Sequence, residues 1–267
     1  METAIEILGP WSLRTSKAFW EEFTPAALPS TEVEEIRAVF LSDHDWTRVE
    51  TVVTPDGRIR VSGPGDLDAA TAQVAQFLSL DIDGRGWPAV GDRDPVIADA
   101  QRQLAGFRPC GFYSPYEAAV WAVLSQRINR RQASSIRRDI ADRLGDDGAF
   151  PSPKKLLAED FDLPGRKSEY LHAVAEAALD GKLSNLRSLS ADDAMAQVQS
   201  ITGLGPFAAE LVVIRGANFP DVPPRNEKRL EAEIAKRYGP NGADTMQWSP
   251  FRSWASVHLR ALAENRY

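Results

Sequence analysis

The chain has 267 residues, 43% of them hydrophobic and 26% charged, a balance that suits a globular protein of one large domain or two to three small ones. A single cysteine, Cys110, excludes an intramolecular disulfide, a thiolate metal cage and a four-cysteine iron–sulfur cluster. The net charge of −7 disfavours a nucleic-acid partner on average, but positive charge gathered on one face matters more than the sum. The opening METAIEILGP has neither a basic segment nor a long apolar run, so no secretory signal is expected there. No apolar run approaches the ~20 residues of a membrane span, and a cytoplasmic location is expected.

In chain order, IEIL, RVETVVT and GRIRVSG alternate like half-buried strands, and TPDG at 54–57 is a turn joining two of them. SLRTSKAFWEEF and LDAATAQVAQFLSL have helical spacing. Residues 1–88 are therefore expected to form a small α+β domain with an antiparallel sheet. From about residue 90 the strand pattern vanishes. DPVIADAQRQLAG, SPYEAAVWAVLSQRI, SEYLHAVAEAALDG, ADDAMAQVQSI, PFAAELVVIRG, EKRLEAEIAKRYG and FRSWASVHLRALAE read as separate helices, several opening at Ser, Asp or Pro and ending at Gly. Residues 89–267 are expected to be all-α, which makes the fold class α+β and predominantly α.

Three stretches bear on function. SQRINRRQASSIRR (125–138) gathers Arg127, Arg130, Arg131, Arg137 and Arg138 with no acid, either a phosphate-facing stripe or a solvated basic face. QSITGLGPFAAEL reads as helix, tight hairpin, helix. Gly203 and Gly205 permit unusual backbone angles, and Pro206 suits a first helical position. Such a turn is either an anion site of clustered N–H groups or a plain packing loop. FPDVPPRNEKRL leads into a helix through the Pro223-Pro224 pair, with Asn226 placed to cap it. Glu227 is then either a first-turn acid favoured by the helix dipole or a group that does chemistry.

With SPYEAAVWAVLSQRIN, LPGRKSEYLHAVA and LSADDAMAQVQ before the hairpin, and PFRSWASVHL after FPDVPPRNEKRLEAEI, the ordered set resembles the helix-hairpin-helix DNA glycosylases, alkylpurine (3-methyladenine type II) group. The resemblance covers nearly the whole chain. It implies two helical subdomains in 89–267 with a cleft between them, and a monomer acting on double-stranded DNA in base excision repair. By the same resemblance, Gly203, Leu204 and Gly205 grip a DNA phosphate through their amides, and the carbonyls of Gln199, Ile201 and Leu204 hold a monovalent cation. Arg127, after Gln126, is placed where a side chain fills the gap left by a flipped nucleotide, with Arg130 and Arg131 following on the DNA side.

The resemblance assigns the catalytic carboxylate to Glu227, where the family carries an aspartate, so the acid here is one methylene longer. Phe207, Leu211 and Arg260 correspond to base-pocket positions, with only Phe207 aromatic. The strand-cleaving branch carries a lysine inside the hairpin, where this chain reads Gly205-Pro206-Phe207, so base release without strand cleavage is expected. Damaged, alkylated bases are the expected substrates. A lesion-sensing DNA-binding protein without chemistry is the alternative that the longer acid raises. Elsewhere, His44, His172 and His258 show no metal-ligand spacing, Ser125 and Ser253 have no triad partners, and Trp121 and Trp254 read as core. Arg166 and Lys167 read either as backbone-phosphate contacts or as ordinary surface.

Overall fold

The computed structural model describes residues 1–223 and 225–263, with Asn241 described by its backbone alone; Pro224 and residues 264–267 lie outside the described residues. Four antiparallel strands, β1 (Glu2–Ala4), β2 (Ile36–Leu41), β3 (Arg48–Val53) and β4 (Arg58–Ser62), form one sheet in the order β1-β4-β3-β2. The TPDG turn joins β3 to β4, with Gly57 at φ +79°, where a side chain would strain the backbone. IEIL lies beyond the end of β1 rather than forming the strand. IRAVFL, not anticipated from the sequence, pairs with β3 from Ile36 opposite Val53 to Leu41 opposite Arg48. Its inward residues Ile36, Ala38 and Phe40 are buried, as a one-faced sheet requires.

Two helices cover that face, α1 (Leu13–Glu21) and α2 (Leu67–Phe77), each started by a side-chain cap from Ser12 or Asp66. Phe77 meets Phe40 and Trp20 edge-on at 5.3 Å from each. The rest of the described chain is helical: α3 (Pro88–Arg93), α4 (Pro95–Gln103), α5 (Pro115–Leu124), α6 (Arg130–Leu144), α7 (Pro153–Leu157), α8 (Lys167–Leu179), α9 (Ala191–Gln199), α10 (Pro206–Leu211), α11 (Lys228–Tyr238) and α12 (Arg252–Ala263). The fold is α+β and predominantly α. No helix among the described residues is long and apolar enough to cross a membrane.

Two apolar cores organise these helices. The larger runs from the sheet and α1–α2 through α5, α8, α9 and α10, and the smaller joins α3, α4, α11 and α12 around Trp87, Trp248, Phe251 and Trp254. Trp121 and Trp254 are both buried, in the larger and the smaller core respectively. Buried Arg108 ties the N-terminal segment to the chain around residue 80 by donating to the carbonyls of Leu8, Pro10, Ser79 and Ile82. Gly216 lets the helical run after α10 approach α5, since a Cβ there would come within 2.8 Å of Pro115 and Ala118.

His258 of α12 is fully buried between Trp87 and Phe107, its ring 4.8 and 5.0 Å from theirs. Nδ1 lies 2.8 Å from the Trp254 carbonyl, which places the proton on Nδ1, and Nε2 has no partner. Burial pushes its pKa down to about 4, against a weaker opposing pull from the Trp254 carbonyl. Because the folded pKa lies below the unfolded one, this stabilisation is complete above about pH 6.5 and is lost as the pH falls toward 4. Urea unfolding of the wild type should therefore lose about 3 kcal/mol of stability across that window in excess of a His258→Phe variant. Parallel pH profiles for the two proteins would contradict this assignment.

Candidate active-site cleft

The loop after α10 carries the chain from one core to the other, and it is fixed at both ends by carboxylates. Asp221 accepts hydrogen bonds from Ser249 Oγ, from the Arg252 amide and from the Arg252 guanidinium, the last through Nε at 2.7 Å and Nη2 at 2.9 Å. Partial burial raises the pKa of Asp221, but the bonds from Arg252 and Ser249 outweigh it and hold the carboxyl below its ordinary range. The Val222 amide donates to Ser253 Oγ, giving that hydroxyl a structural role. At the other end, Glu210 of α10 is buried among apolar neighbours and accepts from the amides of Arg225 and Asn226 and from Asn226 Nδ2 at 2.7 to 3.0 Å.

This anchoring delivers Glu227 to the start of α11. Glu227, not Asn226, is the capping residue: its backbone is extended, and its carboxylate accepts from the amides of Arg229 and Leu230 at 3.1 and 3.0 Å. Asn226 is already committed to Glu210. The Glu227 carboxylate also receives Arg260 Nε of α12 at 2.6 Å, with both side chains largely withdrawn from solvent. Arg260 lines an open cleft of about 570 Å³ together with Arg229, Glu233 and Lys236 of α11 and Arg130 of α6. Among the described residues that line it, the one acid, Glu233, is bound by Arg237. The described lining is rich in basic side chains, and it brings the arginine-rich segment to the helix that Glu227 caps.

Of the residues the sequence suggested for a base pocket, Arg260 lines this cleft. Phe207 stands half-exposed in the first turn of α10, and Leu211 packs partly buried against the larger core. Of the five arginines in 125–138, Arg137 turns inward to Glu117 and stacks over Phe150, while Arg127, Arg131 and Arg138 are exposed.

The hairpin spans Ser200–Gly205 between α9 and α10. Gly203 has φ +91°, and an added Cβ would lie 2.3 Å from the Tyr170 ring, so only glycine fits. Gly205 is extended at φ −87° and needs no glycine conformation, but nothing lies within 4 Å of where a side chain would stand. No side chain caps α10, and the first-turn amides of Phe207 and Ala208 have no intrahelical acceptor. Gln126 Nε2 donates to the Gly203 carbonyl at 2.8 Å, joining the hairpin to the turn after α5. In that turn Arg127 is exposed and adopts φ +57°, a left-handed conformation that costs about 1 kcal/mol for a side-chain-bearing residue. Lys167 is buried and donates to the carbonyl of Leu124, the last residue of α5; desolvation lowers its pKa. Arg166 is exposed and paired with Glu169.

The two loop anchors were missed from the sequence, although an acid amid PFAAELVVI was a visible departure from an apolar face. No group of three or more His, Cys, Asp or Glu among the described residues could hold a metal ion.

No family model matches the chain. A DNA-3-methyladenine glycosylase of Bacillus subtilis is 25% identical over 210 residues, 70% of this chain and 69% of that one. Escherichia coli DNA-3-methyladenine glycosylase 2 is 28% identical over 175 residues, 58% of this chain and 60% of the other. A Mycobacterium tuberculosis protein described as a probable bifunctional transcriptional activator and DNA repair enzyme is 27% identical over 218 residues, only 44% of its length. The structure of the 3-methyladenine DNA glycosylase from Archaeoglobus fulgidus superposes with a TM-score of 0.77 at 19% identity, over 99% of this chain and 98% of that one. The chain is thus similar in sequence to DNA-3-methyladenine glycosylases and shares the fold of the Archaeoglobus fulgidus enzyme. That shared fold accounts for the order of sheet, hairpin and C-terminal helices, and the loop anchors set Glu227 within it.

Replacing Glu210 with Ala removes three acceptor contacts from the loop. Amide exchange at Arg225 and Asn226 should quicken about 10- to 100-fold while exchange in α5 stays unchanged. Unaltered exchange at both amides would show that the loop is held by other means.

Proposed function

We propose that the protein is a monofunctional DNA glycosylase that excises damaged, alkylated bases from double-stranded DNA in base excision repair, acting as a monomer in the cytoplasm. The observation that carries the reading is the Glu227 carboxylate, fixed by two amides and Arg260 beside a cleft rich in basic side chains that also receives Arg130 from the segment bearing Arg127. The names of the sequence relatives support the same chemistry.

In this reading the hairpin amides of Gly203 and Gly205, with the uncapped first turn of α10, take a backbone phosphate, while the Leu204 amide is engaged by the Ile201 carbonyl, and a monovalent cation at the carbonyls of Gln199, Ile201 and Leu204 adds to that grip. Arg127, already held in its left-handed turn, enters the duplex where the damaged nucleotide swings out. Flipping costs a few kcal/mol, and a stacked guanidinium offsets part of it. As the glycosidic bond lengthens, positive charge builds on the sugar, and the fixed carboxylate of Glu227 stabilises it without having to reorganise. Water then adds at C1′ and leaves an abasic site. Pro206 and Phe207 offer no amine to attack the sugar, so the strand stays intact.

A second reading rests on a specific observation: the amides and Arg260 already give Glu227 a sufficient structural role, as in a DNA lesion sensor without turnover. Glu227→Gln separates the two, since glutamine keeps one of the two oxygens that accept from the first amides of α11 but carries no charge. Single-turnover base release should fall about 10²-fold or more, with affinity for an abasic-analogue duplex unchanged. A wild-type protein that binds that duplex but releases no base, and is indifferent to the substitution, would establish the sensor.

A further inference from the structure

The hairpin and the turn that carries Arg127 lie far apart in the chain, yet a side chain joins them. Residues 201–204 form a β-turn, closed by the Leu204 amide on the Ile201 carbonyl at 3.0 Å. Gly203 stands at its third position with φ +91°, the positive angle a type II turn requires. The Gly203–Leu204 peptide therefore has its N–H bonded inside the turn. Its carbonyl accepts from Gln126 Nε2 at 2.8 Å, so both polar ends of this one peptide are committed. The amides of Gly203 and Gly205 flank that fixed plane.

The other end of the bond is equally constrained. The Gln126 amide donates to the Val123 carbonyl, Lys167 serves the Leu124 carbonyl, and Asn129 opens α6 with a reciprocal cap. Between them Arg127 is exposed at φ +57°. The direction in which its side chain leaves the backbone is thus set from both sides. Gln126 refers that direction to a hairpin 77 residues away.

We propose, resting on the glycosylase reading for the DNA-facing roles of both elements, that Gln126 is a positioning residue. It fixes the offset between the hairpin that takes a backbone phosphate and the Arg127 side chain that enters the duplex. A phosphate seated on the hairpin then places the guanidinium at one step of the duplex without a search, so grip and insertion become cooperative. In this role Gln126 acts through Arg127 and needs no contact with the reacting sugar.

Two substitutions isolate the bond. Gln126→Met keeps the length of the side chain and loses the donor, whereas Gln126→Asn keeps the amide and falls one methylene short of Gly203. Affinity for a duplex with a tetrahydrofuran abasic site is measured for each, for Arg127→Ala, and for Gln126→Met combined with Arg127→Ala. Thermal unfolding checks that every variant folds. Arg127→Ala should weaken binding about 30-fold, and either Gln126 variant about 10-fold. The double variant should lose no more than about 30-fold, where independent effects would multiply to about 300-fold. A 2-aminopurine flanking the abasic site reports insertion. Its fluorescence change on binding the wild type should fall to the Arg127→Ala level in both Gln126 variants. Multiplying losses, binding indifferent to Arg127→Ala, or a full fluorescence change in either Gln126 variant would overturn the proposal and leave the glycosylase reading standing. A wild type that binds neither abasic nor undamaged duplex would overturn both.

Discussion

The cleft depends on one constraint: the loop between α10 and α11 crosses from one apolar core to the other and must end with Glu227 in a fixed place. A loop of that kind is entropically costly to order, and backbone contacts alone would leave it mobile. Two carboxylates remove that freedom. Asp221 binds the loop to the start of α12 through a bidentate arginine, and Glu210 binds its last residues to α10. The same α12 supplies Arg260, so a single helix sets both the loop's entry and the charge facing Glu227. His258 and Trp254, from the inward face of α12, hold that helix in the smaller core.

The far side of the cleft is built by the same logic. Lys167 satisfies the carbonyl at the end of α5, and Gln126 reaches the hairpin carbonyl of Gly203. Directly after these two bonds the chain takes the left-handed turn at Arg127, a conformation that is unfavourable for a side-chain-bearing residue. The hairpin and the turn that carries Arg127 are therefore one mechanical unit, and a change in either is felt in the other. Gly203 packs beneath the Tyr170 ring in that unit, with no room for a side chain.

Local features of this fold were legible in the sequence. The helix starts at Asp94 and Ser114 and the β3–β4 turn are decided by neighbours in the chain, and all three stand where capping and turn chemistry put them. Strand β2 was not read, because IRAVFL has too little alternation to be told from other apolar runs. The capping of α11 fell to Glu227 instead of Asn226 because Glu210, elsewhere in the sequence, claims the Asn226 side chain first. Lys167 likewise reads in sequence as a phosphate contact or as surface, and only the tertiary fold shows the carbonyl it serves. Side-chain pairs such as Asp221 with Arg252 and Glu227 with Arg260 unite residues of separate segments, and no local pattern encodes them.

The proposed chemistry requires that the fixed carboxylate of Glu227 face the sugar of a flipped nucleotide. A crystal structure of the protein with a duplex containing a tetrahydrofuran abasic site measures this directly. The Glu227 carboxylate should lie within about 4 Å of the analogue's C1′ position, close enough for a fixed charge to act on it, with the Arg127 guanidinium in the gap of the helix. An abasic sugar remaining stacked in the duplex, or lodged where Glu227 cannot reach it, would contradict it.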